Sequence, residues 1–220
     1  MVEVSTSILN VRKEEAIKTL YDLEAAKTDY FHIDVMDGKF VENNTNELML
    51  EYCEYLNSIT NLPLDVHLMV EDVEQYIKSY LVFEPNIITF HLEAAKNSEE
   101  LHKWIKLVKE NNCKVGISIK PNTEVEKIYE ILPYIHMVLV MTVEPGKGGQ
   151  KLIPETIEKI QKLKQYIEEN NLEVDIEADG GINLDNVEQI KEAGCNIIVA
   201  GNAIVNSDNY VETIKKIKKV

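Results

Sequence analysis

Positive charge is scarce in this chain. Twenty-three Lys and Arg stand against thirty-eight Asp and Glu, a formal net charge of −15 at pH 7. So acidic a surface speaks against nucleic acid and anionic membranes as partners, since both require a basic footprint. Cysteine is scarce too. Cys53, Cys113 and Cys195 have no paired spacing, which removes a disulfide framework and reads as free thiols in a reducing compartment. Long apolar runs are missing. A run such as 137–141 (MVLVM) is strand-sized, far short of a membrane span. The start, Met1-Val2-Glu3-Val4, lacks the basic opening and apolar centre of a signal peptide, so the expected location is cytoplasmic. There is no linker, low-complexity stretch or composition shift, and 1–220 is expected to be a single domain. Its 45% hydrophobic and 28% charged content is ordinary for a globular chain.

What is present is an alternation. Strand-like runs cover 2–8, 30–35, 64–69, 87–91, 114–119, 137–141, 173–177 and 197–200. Helical patterns cover 13–26, 47–59, 72–82, 98–112, 124–132, 155–170, 184–193 and 209–219. Thr123-x-x-Glu126 has the form of a capping box, and Asn97-x-x-Glu100 is a looser version. Eight βα units predict an α/β fold, a single parallel (β/α)8 TIM barrel of near-minimal length. An open doubly wound sheet would place a glycine-rich turn after the first strand. That strand instead ends Ser5-Thr6-Ser7-Ile8-Leu9. Polar residues gather at strand C-termini, at Ser7, His32, Asp34, His67, His91, Lys120, Thr142, Asp179 and Gly201, as in a barrel whose strand ends ring one site.

Side chains two apart on a strand share a face. His32, Asp34 and Met36 therefore point one way, as do His67 and Met69. Burying an imidazole and a carboxylate among apolar residues is costly unless they are paired or bind metal. His32, Asp34, His67 and Asp179 are accordingly candidate ligands for one divalent ion: Zn2+, Mn2+, Fe2+ or Co2+. No zinc-finger or H-E-x-x-H spacing is present, so the expectation rests on convergence of strand ends. The plain alternative is satisfied core histidines and helix-capping aspartates. His102 reads as surface and His136 as packing at the opposite barrel face. For His91, a donor behind the ligands and plain core are both open.

Three glycine-containing loops follow adjacent strands: 144–150 (EPGKGGQ), 179–181 (DGG) and 200–203 (AGNA). Glycine lets backbone N–H groups approach an anion closely, and barrels place phosphate at such loops. Met36, Met69 and Met141 also fall at strand ends, as core filler or as a dry wall around a planar anion.

The chain resembles the ribulose-phosphate 3-epimerase family. The resemblance rests on Ser7-Ile8-Leu9, HIDVMDGKFV at 32–41, DVHLMV at 65–70, TFHLE at 89–93, KVGISIKP at 114–121, MTVEPGKGGQ at 141–150, DGGI at 179–182 and the segment 199–204. It implies a barrel with one divalent metal. It also implies epimerisation of ribulose 5-phosphate and xylulose 5-phosphate at C3 by two-carboxylate proton transfer through a cis-enediolate. Mapped by motif, the acid/base pair falls on Asp34 and Asp179, and the metal ligands on His32, Asp34, His67 and Asp179. Substrate contacts fall on Ser7, His67, Gly146, Lys147, Gly148, Gly149, Asp179, Gly180, Gly181, Gly201 and Asn202. The partner implied is a small phosphorylated ketose, and the assembly a homo-oligomer. Thr6 and Glu42 stand where the family usually has Pro, and Lys147 where it has Phe. Lys147 either adds a cation near the phosphate or points to solvent. The rivals are a hexulose 6-phosphate (allulose 6-phosphate type) 3-epimerase, an aldolase or decarboxylase using Lys120 as a Schiff base, and a non-catalytic phosphate sensor.

Overall fold

Short strands with one face toward helices and the other toward each other bury both faces only if the sheet closes. The computed structural model, which describes residues 2–219, closes it. The strands are β1 (Glu3–Ser7), β2 (Tyr30–Met36), β3 (Leu64–Met69), β4 (Ile87–His91), β5 (Lys114–Ile119), β6 (Met137–Met141), β7 (Asp175–Asp179) and β8 (Ile197–Ala200). They pair in chain order, all parallel, with β8 returning to β1. This is the (β/α)8 TIM barrel expected from the alternation.

The helices around it are α1 (Ala16–Ala25), α2 (Asn46–Ile59), α3 (Val73–Leu81), α4 (Ser98–Glu110), α5 (Glu155–Glu169), α6 (Val187–Glu192), α7 (Asn202–Val205) and α8 (Tyr210–Lys218). Caps start several of them. Asn97 accepts from the Glu100 N–H (2.9 Å) while the Glu100 carboxylate accepts from the Lys96 N–H (2.8 Å). The other capping motif fails. Thr123 gives its hydroxyl to Glu93, and the segment that follows is a 3₁₀ helix, Val125–Tyr134, containing Pro133. Proline has no N–H for a helical bond and crowds the preceding turn.

β7 also departs from expectation. It begins and ends two residues later than 173–177, because its register against β6 runs from Met137↔Asp175 to Met141↔Asp179. Pairing carries the strand past Glu177 to Asp179, whose charges hide the strand in sequence. The brief α7 has no counterpart in the helical pattern of the sequence.

The larger core lies between barrel and helices, with Phe31, Tyr52, Tyr80 and Phe90 fully buried. Cys53, Cys113 and Cys195 are free, as expected, and all three are buried. Inside the barrel a smaller apolar cluster (Ile87, Met137, Leu139, Met141, Val143, Ile197) shares the space with buried Ser5, His32, Asp65, Thr89, Ser118 and Glu177. Such polar filling departs from the branched aliphatic layers usual in this fold. It lies directly beneath the strand C-termini.

Candidate active site

Register brings the ligand candidates together. Across β2 and β3, His32 pairs with Asp65, Asp34 with His67 and Met36 with Met69. Across β6 and β7, Met141 pairs with Asp179. One ligand atom from each of His32, Asp34, His67 and Asp179 lies within 4.8 Å of all the others. His32 Nε2 is 3.4 Å from Asp34 Oδ1 and 3.9 Å from Asp179 Oδ2. His67 Nδ1 is 3.5 Å and 3.8 Å from the same two atoms.

These distances are too long for good hydrogen bonds, and both imidazole nitrogens are buried without a partner. The opposite nitrogens are engaged. His32 Nδ1 lies 2.6 Å from Asp65 Oδ2, which also accepts from Ser5 Oγ at 2.7 Å. His67 Nε2 lies 2.9 Å from His91 Nε2. Two unpartnered imidazole nitrogens facing two carboxylates fit a divalent cation, and the outward hydrogen bonds are those that orient ligating histidines.

The carboxylates are unequal. Burial raises the Asp34 carboxyl, but His32 and His67 outweigh burial and the net direction is down. The carboxyl of Asp179 is pushed up to about 6 by burial, then by the charge of Asp34. Burial works against a proton on His32, yet Asp65 and Asp34 outweigh it and hold its pKa well above the ordinary value. A cation held here would displace a proton.

Above these four, the pocket is lined by Ser7, Met36, Met69, Met141, Gly146, Lys147, Gly148, Gly149, Gly180, Gly181, Gly201 and Asn202, together with Asp34 and Asp179. Ser7 Oγ donates to Asp34 Oδ2 at 2.8 Å. His32 and His67 form the fully buried floor. Gly181 has φ +68°, and a Cβ there would stand 2.4 Å from the Leu152 nitrogen, so the turn admits only glycine. The loop after β2 reaches over the pocket, where Asn43 Nδ2 donates to the Gly146 carbonyl at 2.7 Å. Glu42 is exposed. Thr6 is buried, 2.7 Å from the Thr28 hydroxyl.

Sequence reasoning missed Asn10, whose Nδ2 donates to Asn202 Oδ1 at 2.7 Å beside the pocket. It also passed over Asp65 and Glu177, although each sits two residues before a ligand candidate on the same strand face. The remaining histidines sort cleanly. His91 stands behind His67, between it and Glu93. His102 is exposed on α4. His136 Nδ1 accepts from the Val115 N–H (3.0 Å) at the start of β6. Lys120 does not line the pocket; its ammonium lies 4.1 Å from the Phe40 ring centroid.

A family model described as the ribulose-phosphate 3 epimerase family matches residues 3–205. The ribulose-phosphate 3-epimerase of Bacillus subtilis is 36% identical over 219 residues, covering 99% of each chain. That of Methanocaldococcus jannaschii is 36% identical over 100% of this chain and 91% of its own. The chloroplastic ribulose-5-phosphate-3-epimerase of Arabidopsis thaliana is 35% identical over 98% of this chain and 75% of its own. Among solved structures, KGPDC from Streptococcus mutans superposes with a TM-score of 0.74 at 11% identity, covering 99% and 96% of the two chains. The 3-hexulose-6-phosphate synthase of Salmonella typhimurium does so with 0.72 at 14% identity, covering 98% and 96%. These two likenesses establish the barrel alone.

Proposed function

The chain belongs to the ribulose-phosphate 3-epimerase family, and from that premise we propose that it interconverts ribulose 5-phosphate and xylulose 5-phosphate by inverting C3. The observation that carries the reading is the meeting of Asp34 and Asp179 with two unpartnered imidazole nitrogens at the floor of a glycine-rimmed pocket.

Inversion beside a ketone removes a proton from one face and returns one to the other, through a cis-enediolate. Two carboxylates suffice, one as base and one as acid. Asp34, held ionised by the imidazoles and by Ser7, is the ready base; Asp179, raised by burial and by Asp34, is the ready acid. Their roles exchange when the reaction runs backwards. His32, His67, Asp34 and Asp179 would hold one divalent ion, Zn2+, Mn2+, Fe2+ or Co2+, and such an ion would offset the negative charge that develops on the enediolate oxygens. Met36, Met69 and Met141 keep that zone apolar, which strengthens the electrostatics within it. Backbone N–H groups of the glycine loops are suited to the phosphate. Lys147 is the one cation among the described pocket-lining residues, and it would compensate locally for the acidic surface.

The reading places the enzyme in the cytoplasm, as a homo-oligomer acting on a small phosphorylated ketose. No described helix is long and apolar enough to cross a membrane, and its thiols are free. The test is a substrate panel on purified protein. Turnover of ribulose 5-phosphate well above that of allulose 6-phosphate is expected, lost on chelation and restored by one equivalent of divalent metal. A preference for the hexulose phosphate would favour the longer-sugar epimerase instead.

A further inference from the structure

His67 differs from His32 in how it is held. His32 meets a carboxylate directly, through Asp65. On its outward side His67 meets one only through a second imidazole. His67 Nε2 lies 2.9 Å from His91 Nε2, and His91 Nδ1 lies 3.3 Å from Glu93 Oε2. The His67 and His91 rings meet through these nitrogens, with centroids 5.0 Å apart and planes inclined by 29°, and Phe40 covers His91 at 4.9 Å. Both imidazoles are fully buried. The other Glu93 oxygen is pinned, accepting from the Lys120 N–H at 2.9 Å and from the Thr123 hydroxyl.

We propose that His91 and Glu93 are positioning residues forming a polarity relay that keeps the proton of His67 on Nε2 and leaves Nδ1 bare toward Asp34 and Asp179. The inference rests on the metal-site reading above for its purpose, but not for its geometry. A carboxylate can only accept, so His91 Nδ1 must donate to Glu93. A buried neutral imidazole has one proton, so His91 Nε2 is then an acceptor. His67 Nε2 must donate to it, and a neutral His67 then keeps its lone pair on Nδ1. The tautomer of a metal-facing histidine is thus set two residues away, by the sign of one hydrogen bond.

The relay makes an unusual demand on Glu93→Gln. Lys120 N–H and Thr123 require an acceptor, so the carbonyl oxygen of the introduced amide takes their side and its NH2 faces His91. His91 Nδ1 then accepts, its single proton resides on Nε2, and His67 must accept there. The proton of His67 moves to Nδ1, the atom that faces the carboxylates.

Long-range proton–nitrogen NMR on the metal-free full chain reads both nitrogens of His67 directly. Expected is a protonated Nε2 and bare Nδ1 in the wild type, and the reverse in Glu93→Gln. Thr123→Val loosens the same carboxylate without reversing its polarity and should keep the wild-type pattern. In parallel, cobalt titration followed by its absorption bands should show affinity reduced about tenfold or more in Glu93→Gln, the scale typical of partners behind a ligand. A wild-type His67 protonated on Nδ1, or a Glu93→Gln variant with the wild-type pattern, would overturn the relay. Because the NMR arm uses no metal, a wild-type chain that failed to bind cobalt would contradict the metal-site reading separately.

Discussion

Asp34 and Asp179 are both largely buried and shift in opposite directions, and the difference lies in their neighbours. Both face the two imidazoles, but Asp34 lies closer to them and receives Ser7, whereas Asp179 is pushed up by burial and by the charge of Asp34. Replacing either by Asn leaves shape intact and removes a proton acceptor. Each variant should lose about 10²–10⁴-fold in kcat while remaining folded by circular dichroism; near-normal turnover in either would defeat the two-carboxylate scheme. Lys147 gives a milder prediction. Lys147→Ala should raise KM severalfold at low salt and leave kcat in place, and the wild-type advantage should fade as ionic strength rises. Equal KM values at all salt concentrations would mean that its side chain serves only the solvent.

Among strands, helices and loops, those that rim the pocket carry the sharpest constraint. Gly181→Ala forces a Cβ to 2.4 Å from the Leu152 nitrogen at φ +68°. It should cost about 1–3 kcal/mol of stability and raise KM for phosphorylated ketoses, read by thermal melting and steady-state kinetics; a melt like that of the wild type would show that the turn relaxes. Strand boundaries also show what the sequence makes legible. β8 (Ile197–Ala200) and β6 (Met137–Met141) coincide with their apolar runs, because periodicity and burial agree there. β7 does not, because its inward side chains Glu177 and Asp179 are acids whose burial only the closed barrel explains. Thr123 could not be read either, since its partner Glu93 lies thirty residues away and outcompetes the local cap. The four ligand candidates were legible because strand alternation and position at strand ends put them on one face. The relay through His91 was not, because it depends on which neighbours the register supplies.

Across the whole barrel, the polar interior couples folding to pH. Burial pushes the His91 imidazole down to about 4 from 6.5, against the pull of Glu93. Between those values the unfolded chain binds a proton that the folded chain refuses, so this group's contribution falls as pH drops through that window. Burial raises Glu93, but hydrogen bonds from His91, Lys120 and Thr123 outweigh it and hold it at about 2; its contribution fades lower, between pH 4.5 and 2. Asp179 and Glu177 titrate the opposite way, so the test is a difference. In urea melts, the stability of the wild type relative to His91→Phe should shrink from pH 6.5 to 4, and a constant difference would contradict the assignment. The proposed catalysis comes down to proton transfer at one carbon, and solvent deuterium reads it directly. With ribulose 5-phosphate in D2O, NMR should show one deuteron entering C3 as xylulose 5-phosphate forms, with that deuterated product appearing about 10²–10⁴-fold more slowly in Asp34→Asn or Asp179→Asn. Interconversion with hydrogen retained at C3, or unchanged exchange in those variants, would contradict it.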